Sequence, residues 1–267
     1  MTAASAEVGT RRPPWTVVAG RELRDLWLGG RGLPLMVVYA LLLSVTSYLV
    51  ASNQALNFLE QREAVSLTLQ VAVAVGGLLV LLGAADAVSG ERERATLESL
   101  LLVPASRRQL VLGKAVAAMS LWIAAFVVAM PYLWYLGRGV GVVTSAVFSG
   151  LVVGTLLALF LAGFGMFTST LAGSNRLSLS VCLLGLLALY APTQMPSGVQ
   201  NAWVGDLLLH VDPFTAGLHF LGAVIVNGHS FGAEASWLIG PLVAAVVAVA
   251  AALAAAGQLT LGSGDRS

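Results

Sequence analysis

Charge is what this chain has least of. Only 10% of its 267 residues are Asp, Glu, Lys or Arg while 58% are hydrophobic, and the mean hydropathy is +0.87. A soluble domain carries about 25% charged residues, so an ordinary globular protein is excluded and an integral membrane protein is indicated. Lysine occurs once, at Lys114, and cysteine once, at Cys182 inside an apolar run, which removes a disulfide framework, a CxxC motif and a thiolate metal cluster. There is no GxxxxGK[ST] phosphate loop. Gly113-Lys114 lacks both the upstream glycine at the required spacing and the following Ser or Thr. No nucleotide or other cofactor is therefore expected on this chain. The N-terminus, MTAASAEVGTRRPPW, has no short apolar core followed by a cleavage site, and the first apolar run is long enough to stay in the membrane. A net charge of +1 makes no case for a nucleic-acid partner.

What is there is length in apolar runs. Six of them, at about 33–52, 66–86, 110–136, 142–168, 177–196 and 237–261, reach the roughly 20 residues that cross ~30 Å of hydrocarbon. The third is longer than a span needs, and its first turns should project into water. Before the first run, a polar tail (1–14) leads into residues 15–28. Trp15, Val18, Ala19, Leu23 and Leu26 share one helical face there and Arg21, Arg24 and Asp25 another, the pattern of a helix lying in the membrane interface. With the N-terminus inside, twelve Arg and Lys residues fall in cytoplasmic segments and only Arg62 and Arg138 outside. This positive-inside bias puts both termini in the cytoplasm.

The charges concentrate between the second and third runs, in a loop over 89–109. Five of the eight residues from Glu91 to Glu98 are charged, and each costs ~2.5–3.5 kcal/mol at a bilayer centre, so this stretch sits in water. Leu97, Leu100 and Leu101 form an apolar stripe, and Pro104 ends the helix that the pattern predicts over 91–103. Ser106, with Gln109 three residues on, forms a capping box for a second helix. The pattern is a helix, a corner and a helix entering the membrane. On the other side, residues 197–236 contain a helix pattern at 199–209, an Asp212-Pro213 start signal and an Asn227-Gly228 turn, consistent with helices on or dipping into the outer leaflet.

Glu91-Arg92-Glu93, Thr96-Leu97-Glu98, Leu100-Leu101, Pro104, Ser106-Arg107 and Gly113-Lys114 resemble the first cytoplasmic loop of type 2 permeases of bacterial ATP-binding-cassette exporters. In that family the run reads approximately ERExGTLExLLxxPxSRxxxxxGK, and Ala95 stands where glycine is usual. The resemblance extends to the interfacial helix, the six spans and the re-entrant-like segment before the last one. It implies an all-α permease domain without its own motor, in the cytoplasmic membrane. A separate nucleotide-binding subunit, carrying ATP and Mg, would dock on the loop, and a second permease copy or paralogue would complete the pathway. Glu91, Glu93 and Glu98 are the implied ionic contacts, with Arg92, Arg94 and Arg107 beside them, and Arg94 with Glu98 is the competing pairing inside the chain.

Other candidates carry less. Asp86 reads as a carboxylate at a helix end rather than part of an ion path. His210, His219 and His229, with Asp206 and Asp212, have spacings that match no compact ligand motif, so no metal is assigned. An intramembrane enzyme would need Ser174 and these histidines together, whereas the topology puts them on opposite sides. A scaffold that does not transport is the alternative reading. The apolar spans favour a hydrophobic or lipid-like substrate over a bare ion, which needs polar groups in place of its hydration shell.

Overall fold

The computed structural model describes residues 14–52, 58–95, 106–194 and 210–258. Among these, eight α-helices and three 3-10 turns account for the regular structure. The helices are α1 (Pro14–Trp27), α2 (Gly32–Ala51), α3 (Phe58–Glu93), α4 (Arg107–Gly137), α5 (Val143–Leu171), α6 (Asn175–Tyr190), α7 (Pro213–Ile225) and α8 (Ile239–Ala255). Six stretches are long and apolar enough to cross a membrane: α2, α3, α4, α5, α6 with the turn after it, and α8 with the turns at either end.

α3 begins at Phe58 and ends at Glu93, well outside the apolar run at 66–86. At 1.5 Å per residue its 36 residues make ~54 Å, nearly twice the hydrocarbon thickness. Both ends therefore stand clear of the apolar layer. Glu91, Arg92 and Glu93 belong to this helix and not to a separate one. Ser89-Gly90 does not break it, because the Ser89 hydroxyl donates to the Ala85 carbonyl at 2.7 Å and the amides of Val88 and Ser89 donate to the Ser169 hydroxyl at 3.0 and 2.9 Å. α4 runs unbroken through Pro131.

The core forms around α5, which packs most extensively on α3 and α8. Its glycines allow this approach. A Cβ at Gly163 would lie 2.6 Å from the Ala248 carbonyl carbon of α8, and one at Gly165 would lie 2.7 Å from the Ala84 Cβ of α3. Small residues let helices meet closely in lipid, where dispersion contacts replace the hydrophobic drive. Trp122, buried in the same layer, donates to the Thr155 hydroxyl at 3.1 Å. The outward faces of α2, α6 and α8 are mostly leucine and valine.

α7 falls in the segment expected to lie on or dip into the outer leaflet. Ten of its thirteen residues are buried, and it packs into the bundle against α5. Gly217 permits this by presenting bare backbone to Val153. Its start is as the sequence predicts, with Asp212 accepting from the Thr215 amide at 2.7 Å and Pro213 in the first turn. The Gly228 turn has φ +72. The helix pattern at 199–209 lies outside the described residues.

Candidate coupling site

The C-terminal end of α3 is where the loop charges begin, and they are tied into the bundle. Glu91 and Glu22 each accept from the Lys114 ammonium, at 2.7 and 2.8 Å. The lysine side chain is 2% exposed. The triad joins α1, α3 and α4. Beside it, Gly113 provides the seat for α1, since a Cβ there would lie 2.7 Å from a Val18 methyl. Val18 and Ala19 bury their side chains against α4, and Trp27 donates to the Ser120 hydroxyl at 3.1 Å. Gly113-Lys114 thus locks the first helix onto the third span.

A second cluster has Asp86 at its centre. Its carboxylate accepts two bonds from Arg94, at 3.0 and 3.1 Å, and one from the Asn175 side chain at 2.8 Å, with Arg31 at 3.7 Å. Asp86 lies within α3, short of its end at Glu93, and holds α3, the α1–α2 corner and α6 together. Glu93 accepts from the Asn175 amide at 2.9 Å in the first turn of α6. Ser174 caps that helix by accepting from the Leu177 amide. Arg92 donates to the Ala172 and Thr170 carbonyls at the end of α5, where a cation meets the negative end of the helix dipole.

Both margins of the intervening segment are fixed. Ala95 follows α3 with φ +55, a left-handed conformation that usually ends a helix with glycine. A glycine here would adopt this conformation without the strain that an L side chain carries. On the far side, Ser106 accepts from the Gln109 amide at 3.3 Å while Gln109 accepts from the Ser106 amide at 3.0 Å, the capping box that the sequence predicts. Arg107 donates to the Gly257 carbonyl beyond α8 at 3.1 Å. Of the ten residues assigned to motor coupling, Glu91, Arg92, Glu93 and Arg107 are each bonded within the chain. Thr96, Leu97, Glu98, Leu100, Leu101 and Pro104 lie outside the described residues.

The family described as "ABC-2 family transporter protein" matches residues 16–255. The chain belongs to this family. As an ABC-2 membrane protein it is a multi-pass permease subunit, and ABC-2 membrane domains typically have no ATP-binding site of their own. Comparison with curated proteins finds no match.

Sequence reasoning missed the partner of Lys114. The signal was present: a solitary lysine in LVLGKAVAAM is an ionisable group in an apolar run, which demands a counter-charge. It also missed the arrangement of histidines. His210 stacks on Trp237 with centroids 4.1 Å apart, and His219 packs against the same ring at 3.9 Å with its plane tilted by 32°. His229 bonds Glu234 at 2.7 Å. Burial holds His219 below its ordinary pKa, with His210 and His229 adding to the shift and Glu234 opposing it. Among the described residues no three His, Cys, Asp or Glu side chains are grouped to hold a metal. These histidines belong to the end of the bundle where α3 begins, and Ser174 to the end where it finishes, so no Ser–His pair forms between them.

Proposed function

We propose that the chain is the membrane half of an exporter driven by ATP hydrolysis in a separate nucleotide-binding subunit, which docks on residues 96–104 facing the cytoplasm. The observation that carries this reading is the anchoring at the two margins of that segment. At one, α3 ends in clusters bonded to α1, α4, α5 and α6; at the other, α4 begins with a capping box and an Arg107 bond to the end of α8. Force applied between Ala95 and Ser106 thus reaches the whole bundle through short bonds. Because Glu91, Arg92, Glu93 and Arg107 already spend bonds inside the chain, they act as framework, and Thr96 to Pro104, Glu98 above all, carries the contact with the motor. A second copy, or a related permease, completes the pathway against exposed apolar span faces. Those faces favour a hydrophobic or lipid-like substrate, because they offer few groups to replace the hydration shell of an ion.

The test is co-purification in gentle detergent with ATPase assay. Glu98→Arg should reduce recovery of the nucleotide-binding subunit and its stimulated ATPase while membrane insertion is unchanged. Full recovery and stimulation with Glu98→Arg, and also with residues 96–103 scrambled, would leave a non-transporting scaffold as the better reading.

A further inference from the structure

α4 carries an exposed apolar stripe that ends in a charge. Ile123, Val127, Met130, Trp134 and Arg138 follow one another at intervals of four, three, four and four residues, so they share one face of the helix and of the residue that caps it in helical conformation. The four apolar members are 39–63% exposed, and Arg138 is exposed too. From Trp134 down to Ile123 the stripe covers ~16 Å at 1.5 Å per residue, about half of the ~30 Å of hydrocarbon and so the depth of one leaflet.

Aromatic rings mark the level of Arg138. Its guanidinium lies over Trp134 and Tyr135, 5.1 and 5.2 Å from their centroids. Both rings are exposed, and so is Tyr48 of α2, one turn beyond the Ser44 hydroxyl that meets the Tyr132 hydroxyl at 2.8 Å. Exposed Trp and Tyr gathered at the end of a span belong to the membrane–water interface, where their polar tips reach water and headgroups. At the same end of the bundle, Arg62 donates to the Val226 carbonyl at 3.3 Å. Arg138 differs: among the described residues it makes no ion pair and donates no hydrogen bond, and the two rings are its partners. Stacking on aromatic rings leaves the N–H donors of a guanidinium unspent, and a planar fork of donors matches the oxygens of a phosphate.

We propose that Arg138 binds the phosphodiester of an anionic phospholipid in the leaflet at this end of the bundle, with one acyl chain lying along Trp134, Met130, Val127 and Ile123. A headgroup of net negative charge neutralises the unpaired guanidinium, whereas an ethanolamine headgroup brings an ammonium close to it. The stripe continues beneath the charge for the depth of one leaflet, which suits a lipid and not a soluble anion. Arg138 follows the last residue of α4, at the opposite end of that helix from the Arg107 and Lys114 contacts, so the site does not depend on how a motor docks.

Native mass spectrometry of the delipidated full chain, titrated with phosphatidylglycerol or phosphatidylethanolamine, tests the inference. Phosphatidylglycerol should be retained over phosphatidylethanolamine. Arg138→Ala, a change at an exposed side chain that holds no hydrogen bond or ion pair, should weaken phosphatidylglycerol retention about tenfold, the loss of one charge-assisted phosphate contact, and abolish the preference. Equal retention of the two lipids by the parent, or unchanged phosphatidylglycerol retention in Arg138→Ala, would overturn the proposal. Displacement of the lipid by sn-glycerol 3-phosphate at matched concentration would show that the charge alone binds, and would overturn the lipid source. Disulfide crosslinking of two copies through Met130→Cys, with Cys182 buried and unable to compete, would give the stripe to a second copy and overturn the lipid as occupant.

Discussion

Replacing Lys114 by Met removes the one cation that two carboxylates share. Glu22 and Glu91 are only 20% and 17% exposed and both bond the same nitrogen. Without it they repel one another in a site with little water, and one must take up a proton or turn outward. Breaking a buried ion pair from one side costs about 3–5 kcal/mol; because both carboxylates keep some solvent, the lower figure of about 3 kcal/mol applies. At roughly 2–4 °C per kcal/mol for a chain of this size, thermal unfolding in detergent should fall by about 10 °C. The triple variant Glu22→Gln, Glu91→Gln, Lys114→Met removes all three charges and should recover most of that loss, because amides and a thioether can be buried at far lower cost. The double-mutant cycle between Lys114 and Glu91 should give a coupling energy above about 1 kcal/mol, the sign of direct contact. A Lys114→Met variant that melts within about 1 kcal/mol of the parent, or a triple variant no better than the single, would refute the idea that this triad fastens α1 to α4.

Three further outcomes follow from particular geometries. Ala95→Gly relieves a left-handed L-residue at φ +55 and should raise stability by about 1 kcal/mol, seen as a higher melting temperature. Gly163→Ala presses a methyl onto the α8 backbone and should cost about 1–3 kcal/mol, whereas Gly222→Ala in α7, where a Cβ meets nothing within 4 Å, should be neutral or gain up to about 1 kcal/mol. For His219 the folded pKa lies below the ordinary 6.5, so the unfolded chain binds more protons as pH falls. The stability linked to burying His219 as a neutral imidazole is complete above pH 6.5 and lost as pH drops through 6.5 towards the folded value. Tryptophan fluorescence should change over that range in the parent, and the change should be absent in Trp237→Phe. A pH-independent signal would show that His219 does not titrate against Trp237.

Features written in local pattern were legible in the sequence. The six spans follow from run length, the Ser106 capping box from Gln109 three residues on, and the Asp212-Pro213 start and Gly228 turn from residue chemistry at single positions. Each depends on neighbours within one or two turns, so no tertiary knowledge is required. The limits of α3 were not legible, because its last turns are held by a partner far along the chain: Ser169, 80 residues away, supplies a hydroxyl to the buried amides of Val88 and Ser89. The burial of α7 was hidden for the same reason. Its apolar face fits a groove whose floor, Val153 and Leu157 beneath Gly217, belongs to a helix some sixty residues earlier.

The loop charges show why a motif can be recognised before its physical content is. Spacing alone presents Glu91, Arg92, Glu93 and Arg94 as a solvated run available to a partner. In the fold each turns to a different helix: Glu91 to Lys114 of α4, Arg92 to the carbonyl end of α5, Glu93 to the first turn of α6, and Arg94 back to Asp86 of α3. Four charges on one helix end, pointing four ways, cannot form one flat contact surface. They tie the end of α3 into the bundle. Conservative changes within this set, such as Glu93→Gln or Arg92→Lys, should therefore register first in stability, and a change at Glu98 first in motor coupling. That division separates framework from contact residues in a single set of variants.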